Sequence, residues 1–469
     1  MVDGAGQGGE SSGVTQNSTA VPVRIREPAS SASALRSGLA EALDEALDRL
    51  AAERNGPAGL LWLGSDAARI GADALSHPTR SRAEASCRAE RAAVDRIATS
   101  PKPVVAVLHG DVDGTSFEVA LACRARIAVE GTACSLAFSD TEFGLAPRLG
   151  GLARVVATCG IGLAVDLAAR GRRLDAQEAL ALGLIDAIVP ASSVDRHAAE
   201  LAQKMSPSAP RISSTTIEGA RHELRVRHGG NYPALVRALD VIEALAQKRP
   251  DLAAEMEVFS FGELAMSTTA KNLAALRGAA LSLERHENAP TGGAIRSALA
   301  SLGLGYAAHA HAVALPFRRF AARIFSSLET EARRLIAAGA SASHVRSALR
   351  AWGFLGQDPA VDEKPSAGRR IAPEIVQMRC ALPLVLEALR ALEAGVIPSP
   401  LHGDVAAVFL GGFPPFRGGP FRYVDDVGPR EIVARADVLA REHGPAFVPP
   451  PLLRSLAERG ARLYPSHGS

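Results

Sequence analysis

Lys102-Pro-Val-Val-Ala-Val-Leu-His-Gly-Asp-Val-Asp-Gly-Thr-Ser-Phe-Glu118 is the stretch on which the fold turns. Pro103–Leu108 is a compact apolar run with no alternation, the pattern of a strand buried on both faces. His109-Gly110 ends it, and Phe117–Cys123 reads as a helix. A strand, a glycine-bearing turn and a helix therefore follow one another. The first N–H groups of such a helix have no acceptor within it and favour an oxyanion.

The same alternation extends on both sides. Val21–Arg26 is a short β-like run. Leu35, Leu39, Leu43, Leu47 and Leu50 fall near helical spacing, the core stripe of a charged helix. Gly59–Leu63 is a second buried strand, and Arg126–Glu130 and Ile185–Val189 are two more. Asp175 and Glu178 form a capping box, and Gly183 stands where that helix stops. Strands alternating with helices predict an α/β layer. After about Pro190 the strand signals fade. Helices are predicted over Tyr232–Lys248, Leu252–Met266, Thr269–Leu283, Phe317–Ala338, Ala342–Trp352 and Pro373–Ala394. Glu287–Gly293 reads as a boundary and Gln357–Arg370 as a loop.

The chain has 469 residues, 47% of them hydrophobic, and a net charge of +2. At about 150 residues per domain this allows roughly three units and a large core. The near-neutral balance gives no nucleic-acid footprint. The five cysteines, Cys87, Cys123, Cys134, Cys159 and Cys380, are dispersed and contain no CxxC. That set predicts neither a disulfide framework nor a metal site, and suits a reducing compartment. Residues 1–20, rich in Gly and Ser, read as a disordered tail without an apolar signal region. No apolar run is long enough to span a bilayer. A cytoplasmic protein is expected.

Three segments carry chemistry in order. Gly71-Ala72-Asp73 follows a buried strand and can present the N–H of Ala72. The turn at Gly114-Thr115 leads to Glu118 in the first turn of its helix. Ser139-Asp140-Thr141-Glu142 places carboxylates ahead of Gly144-Leu-Ala-Pro147 and Gly150-Gly151. Two N–H donors aimed at one oxygen, with a carboxyl group nearby, are what enolate chemistry on a thioester requires. Each carboxylate also has a structural reading. Glu118 is either a proton-transfer group or satisfied by backbone donors at a helix start, and Asp140 is either that or a helix N-cap.

Lys102–Gly110 with Glu118-Val-Ala-Leu-Ala-Cys123 resembles the signature of the crotonase (enoyl-CoA hydratase/isomerase) superfamily, whose turn usually reads Asn-Gly-x-Ala-x-Gly-Gly-Gly-x-Glu. Gly144–Gly151 resembles its second signature, and Gly171–Asp186 its closing helix and strand. The resemblance runs from Val21 to Pro190 and implies a spiral ββα domain over residues 21–200. It implies an oxyanion hole at Ala72 and Thr115, catalytic carboxylates at Glu118 and Asp140, and substrate contacts at Gly71, Asp73, Gly114 and Pro147. In a hydratase both carboxylates would activate water, and in an isomerase one would shuttle a proton. The implied ligand is an acyl-CoA, with no cofactor beyond its CoA and no metal.

The departures from the signature fall within the site. Thr115 stands where the family has Gly, so its β-branched side chain crowds a place of close approach. Asp113 either repels an enolate or caps the helix. Asp140 replaces the usual Glu, which shortens the reach by roughly 1.5 Å. A misplacement of ~1 Å can cost about 10²-fold. Glu142 is the fallback carboxylate. His109 either touches ligand or replaces the family Asn in holding the turn.

A second resemblance lies beyond residue 200. Tyr232–Ala244 and Phe261–Met266 look like the helical linker of multifunctional fatty-acid oxidation proteins. Glu387–Val396 and Gly412-Phe-Pro-Pro-Phe-Arg-Gly-Gly-Pro-Phe-Arg-Tyr423 look like the end of their 3-hydroxyacyl-CoA dehydrogenase region. This implies a linker over 201–290 and an all-α dehydrogenase-C-terminal-like region over 291–469. The nucleotide-binding domain between them has no counterpart. No GxGxxG follows a strand near Leu283–Pro316, Gly303-Leu-Gly305 lacks the third glycine, and His309 and His311 lie in an Ala-rich helical stretch. The expectation is a truncated multifunctional enzyme that uses no NAD. Binding without catalysis, or another enolate reaction, are the alternatives. The helical half is read as serving homo-oligomerisation or docking of a thiolase-type partner. Arg417 and Arg422 either line an acyl-CoA surface or belong to a conformational clamp.

Overall fold

The computed structural model describes residues 23–26, 39–53, 58–64, 75, 77–203, 216–286, 315–354 and 371–464. The predicted tail at 1–20, the boundary at 287–293, the loop at 357–370, Gly303–Gly305, His309 and His311 lie outside them.

A five-stranded parallel sheet organises the N-terminal part. Its strands are β1 (Val23–Arg26), β2 (Gly59–Gly64), β3 (Val104–His109), β5 (Ala125–Val129) and β8 (Ala187–Val189), side by side in that order. The register pairs Leu61 with Ala106 and Leu108 with Ala128. The unbroken apolar runs follow from burial on both faces. Leu61, Leu63, Ala106, Leu108 and Ala128 join one core cluster, while Leu60, Val105, Val107, Ile127 and Val129 join another. Helix Val194–Gln203 covers the second face through Val194, Ala198 and Ala202.

A three-stranded sheet lies beside it: β4 (Asp111–Asp113) parallel to β6 (Ser135–Ala137), which is antiparallel to β7 (Leu174–Asp175). These strands hold two or three residues each and carry no periodic signal, so they were not legible in the sequence. Helix Val194–Gln203 was missed as well, its buried stripe resting on Val and Ala alone. The capping box at Asp175 and Glu178 is formed, and Gly183 follows the helix with φ +76°.

The helices Ile217–His228, Pro233–Ala246 and Pro250–Met266 contribute Ala220, Leu239, Ile242 and Ala253 to the N-terminal core. The region read as a linker is thus packed onto the α/β layer. Helix Thr268–His286 passes to a second, all-helical core with Leu276 and Ala280. There, helix Leu315–Ala337 packs against Pro373–Glu393 and Pro400–Gly411 through Phe320, Ile324, Leu384 and Val408.

The same helix ties the halves together. Asn272 donates to the Phe416 carbonyl at 3.2 Å and to Asp426 at 2.8 Å. Arg417 lies 4.0 Å over the Trp352 ring and donates to the Trp352 carbonyl, while Gly418 and Gly419 adopt positive φ. This is the clamp reading of the Arg417-Gly418-Gly419 segment. Asp404 completes it by accepting from the Phe421 and Arg422 N–H groups and from the Tyr464 hydroxyl.

Candidate active site

The site forms where the turn after β3 meets the loop 139–151. Strand pairing of β4 with β6 sets Asp113 opposite Ala137, and the Gly114 N–H donates to the Ala137 carbonyl at 2.9 Å. Gly114 then turns with φ +53° to start helix Thr115–Ala122. A Cβ at Gly114 would stand 2.7 Å from Oδ2 of Asp140. The turn and the Asp140 carboxylate are therefore in direct apposition, and only glycine fits between them.

Asp140 sits in the one-turn helix Ser139–Phe143 and is buried. Its Oδ1 meets Nη1 of Arg148 at 3.3 Å, and its Oδ2 has no hydrogen-bond partner among the described residues. It is not an N-cap: it lies inside Ser139–Phe143, whose N-cap is Phe138 and has no side-chain cap bond. Burial pushes its carboxyl up to about 7; Arg148 opposes the rise and Glu118 adds to it.

Glu118 is fully buried and its carboxylate is engaged by backbone alone. It accepts from the N–H groups of Arg148 at 3.0 Å, Leu149 at 2.8 Å and Gly151 at 2.9 Å. Backbone donors at a helix start do satisfy Glu118, but the helix is Gly151–Cys159 and not its own. A Cβ at Gly151 would meet Cγ of Glu118 at 2.7 Å, which explains the Gly150-Gly151 pair.

Thr115 is buried, and its Oγ1 has no partner among the described residues. As the first residue of its helix it has no intrahelical acceptor for its N–H. Gly71, Ala72 and Asp73, the other half of the expected oxyanion hole, lie outside the described residues. Pro147 is buried in the loop that precedes Arg148.

Asp113 does not cap the helix. Arg173 holds both its oxygens, at 3.1 and 2.9 Å, and the helix is capped by Gly114 without a side chain. Burial still raises its carboxyl to about 6 against the pull of Arg173. Glu142, the fallback carboxylate, is bound by Arg173 at 2.9 Å and Arg277 at 2.6 Å. It pins the loop to helix Thr268–His286 and is not directed at Gly114. His109 packs against Gly64 and tilts against Trp62 at 5.8 Å.

Three residues of the site, Arg148, Glu90 and Glu257, were not singled out in the sequence. Arg148 is buried with Nη2 on Glu90 at 3.1 Å and its guanidinium 4.7 Å from the Phe261 ring. Glu257 is buried, pairs with Arg91 and accepts from the Gly150 N–H at 3.1 Å. A charged residue inside a Gly/Pro loop was the signal for Arg148. Glu90 lies on a charge-rich helix and Glu257 on a largely apolar one, and neither gave a signal.

Burial also pushes the Glu257 carboxyl up to about 8, against Arg91 and with Glu118 adding to the rise. With folded values above the ordinary 3.8 and 4.5, Asp140 and Glu257 bind protons more tightly in the folded state. Their contribution to stability is complete below the unfolded values and is lost as pH rises through 7 to 8. Thermal unfolding should therefore show a falling Tm across that window, and Glu257→Gln should flatten the fall. An unchanged slope in the variant contradicts the assignment.

Among the described residues no group of His, Cys, Asp or Glu could hold a metal ion, and no helix is long and apolar enough to cross a membrane. All five cysteines are buried.

Comparison with known proteins finds the enoyl-CoA hydratase/isomerase family matching residues 15–235. Among solved structures, an enoyl-CoA hydratase from Bacillus halodurans is 20% identical, with 51% of this chain and 87% of that one covered and a TM-score of 0.35. An enoyl-CoA hydratase from Rhodobacter sphaeroides 2.4.1 is 18% identical, with 60% and 93% covered and a TM-score of 0.41.

Proposed function

We propose, from a chain whose N-terminal half carries a crotonase-superfamily domain, that the protein acts on acyl-CoA thioesters by enolate chemistry of the enoyl-CoA hydratase/isomerase kind. The observation that carries this reading is the buried Asp140 carboxylate, with one oxygen that has no hydrogen-bond partner among the described residues and that faces the Gly114-Thr115 turn. A thioester oxygen in that turn would take the Thr115 N–H, with Ala72 as the second donor. Losing one such donor typically costs ~10²–10³ in rate. The acyl α-carbon would then lie beside Asp140.

Asp140 removes a proton from carbon, the electron pair moves into the thioester, and the oxyanion is held by the N–H donors. Returning the proton to a carbon two bonds away moves the double bond. Hydration starts instead from the 2-enoyl thioester: the water oxygen bonds the β-carbon, one water proton passes to a carboxylate, the alkene electron pair moves into the thioester, and a proton is delivered to the α-carbon. Double-bond migration needs one carboxylate, whereas hydration needs a second to orient water. Three backbone N–H groups already occupy Glu118, and this favours migration over hydration. The reaction needs no cofactor beyond CoA and no NAD. The helical half reads as the dehydrogenase-C-terminal-like region of a multifunctional oxidation protein without its nucleotide domain. In that reading it serves assembly, as a homo-oligomer or with a thiolase-type partner.

The test is to supply 2-enoyl-CoAs and 3-enoyl-CoAs of short, medium and long chain and follow thioester absorbance and products. Interconversion of the two enoyl isomers is expected, with little hydration. Binding of acyl-CoA with no turnover at any length contradicts the enzymatic reading and leaves a binding or assembly protein.

A further inference from the structure

Among the described residues, Arg148 is the one guanidinium in contact with Asp140, and it is shared. Its Nη1 meets Oδ1 of Asp140 at 3.3 Å, its Nη2 meets Oε2 of Glu90 at 3.1 Å, and its Nε is buried without a partner among the described residues. The Phe261 ring closes one face of the guanidinium, and the Arg148 N–H is held by Glu118. The position of Arg148 is thus set from three sides: by Glu90 on helix Arg80–Ala98, by Glu118 on helix Thr115–Ala122 and by Phe261 on helix Pro250–Met266.

We propose that Arg148 and Glu90 are positioning residues for proton transfer: Arg148 fixes Oδ1 of Asp140 so that Oδ2 is presented at the Gly114-Thr115 turn, and Glu90 shares the guanidinium so that Asp140 is not locked as a fully paired anion. The inference rests on the proposed role of Asp140. An Arg paired with Asp140 alone would hold it ionised and make it a weak base. With no Arg, a buried carboxyl beside Glu118 would stay protonated and accept nothing. The couple places Asp140 between these limits, in keeping with its carboxyl at about 7. The other groups facing Asp140 are Glu118 and Asp113, and Arg148 also faces Cys87. The half-buried His77 is held below its ordinary value, mainly by burial, with Glu90 opposing and Arg148 adding to the fall.

The two substitutions are expected to act in opposite directions. Glu90→Gln should lower the midpoint of Asp140 titration by about one pH unit or more. Arg148→Met should raise it by about one to three units. Arg148→Lys keeps the charge and should move it less than Arg148→Met, which serves if the Met variant folds poorly. The midpoint is read twice on the full chain. One reading is the acidic limb of kcat/KM on enoyl-CoA, and the other is direct titration of the carboxyl carbon resonance that disappears in Asp140→Asn. Opposite shifts support the couple, since a merely structural role would lower turnover without moving the midpoint. Midpoints unmoved in both Glu90→Gln and Arg148→Lys overturn it. If Asp140→Asn itself turns over like the unaltered protein, the role of Asp140 fails instead, and the two failures are distinguishable.

Discussion

Asp140→Asn is expected to lower kcat on enoyl-CoA by at least ~10², the lower end of what a positioned acid–base group contributes. Asparagine matches the side chain in size, so the Arg148 contact to one oxygen survives and the fold should hold. What is lost is the oxygen that takes the proton. In the unaltered protein the basic form of Asp140 is needed, so kcat/KM should rise with pH through about 7, where burial has placed the carboxyl. Steady-state rates across pH 5 to 9, with near-ultraviolet circular dichroism as the check on folding, measure both effects. A flat profile in the unaltered protein, or a variant within a few-fold of it, contradicts the account.

Glu118→Ala is expected to have the largest effect on stability. It strips the acceptor from three buried N–H groups, on Arg148, Leu149 and Gly151. Each orphaned donor costs about 1–3 kcal/mol, so a loss on the order of 4 kcal/mol or more is expected, even if water refills part of the space. Glu118→Gln is milder. Its amide turns one acceptor into a donor facing an N–H, and it should cost roughly 1–3 kcal/mol. Denaturant midpoints of the two variants give the comparison. The Gln variant also separates the reactions. Isomerisation carried by Asp140 should persist within about tenfold, whereas hydration that needs Glu118 for water should vanish. Full stability of Glu118→Ala contradicts the loop-holding role.

The central strands β2 and β3 were legible because they are unbroken apolar runs closed by Gly64 and Gly110, and burial on both faces leaves no other pattern. The turn at Gly114 was legible for the same local reason. What the sequence hid is how far the carboxylates travel from their own segments. Glu118 was expected to act near its own helix, but the chain folds the loop Arg148–Gly151 over it and uses it as an anchor. Glu142 looked like a fallback carboxylate and Asp113 like a charge beside the turn or a helix cap, yet Arg173 lies between them and ties both down. Arg173 is 60 positions from Asp113, a pairing no local spacing reveals. Glu90 lies on a charge-rich helix and Glu257 on a largely apolar one, and on either a lone carboxylate reads as solvated until a partner from another segment buries it. The helical half was legible as helices, but its grip on the site loop, through Arg277, Phe261 and Glu257, depends on packing between distant segments.

The central claim, that Asp140 exchanges a proton with the carbon of a bound acyl-CoA, is tested most directly by deuterium exchange. The full-length protein is incubated in heavy water with saturated and unsaturated acyl-CoAs, and label entering the acyl chain next to the thioester is followed by mass spectrometry. This readout requires no net reaction and does not depend on which product the enzyme makes. The account predicts label entering in the presence of the unaltered protein and not with Asp140→Asn. Exchange undiminished in Asp140→Asn, or its absence from every acyl-CoA that binds, contradicts it.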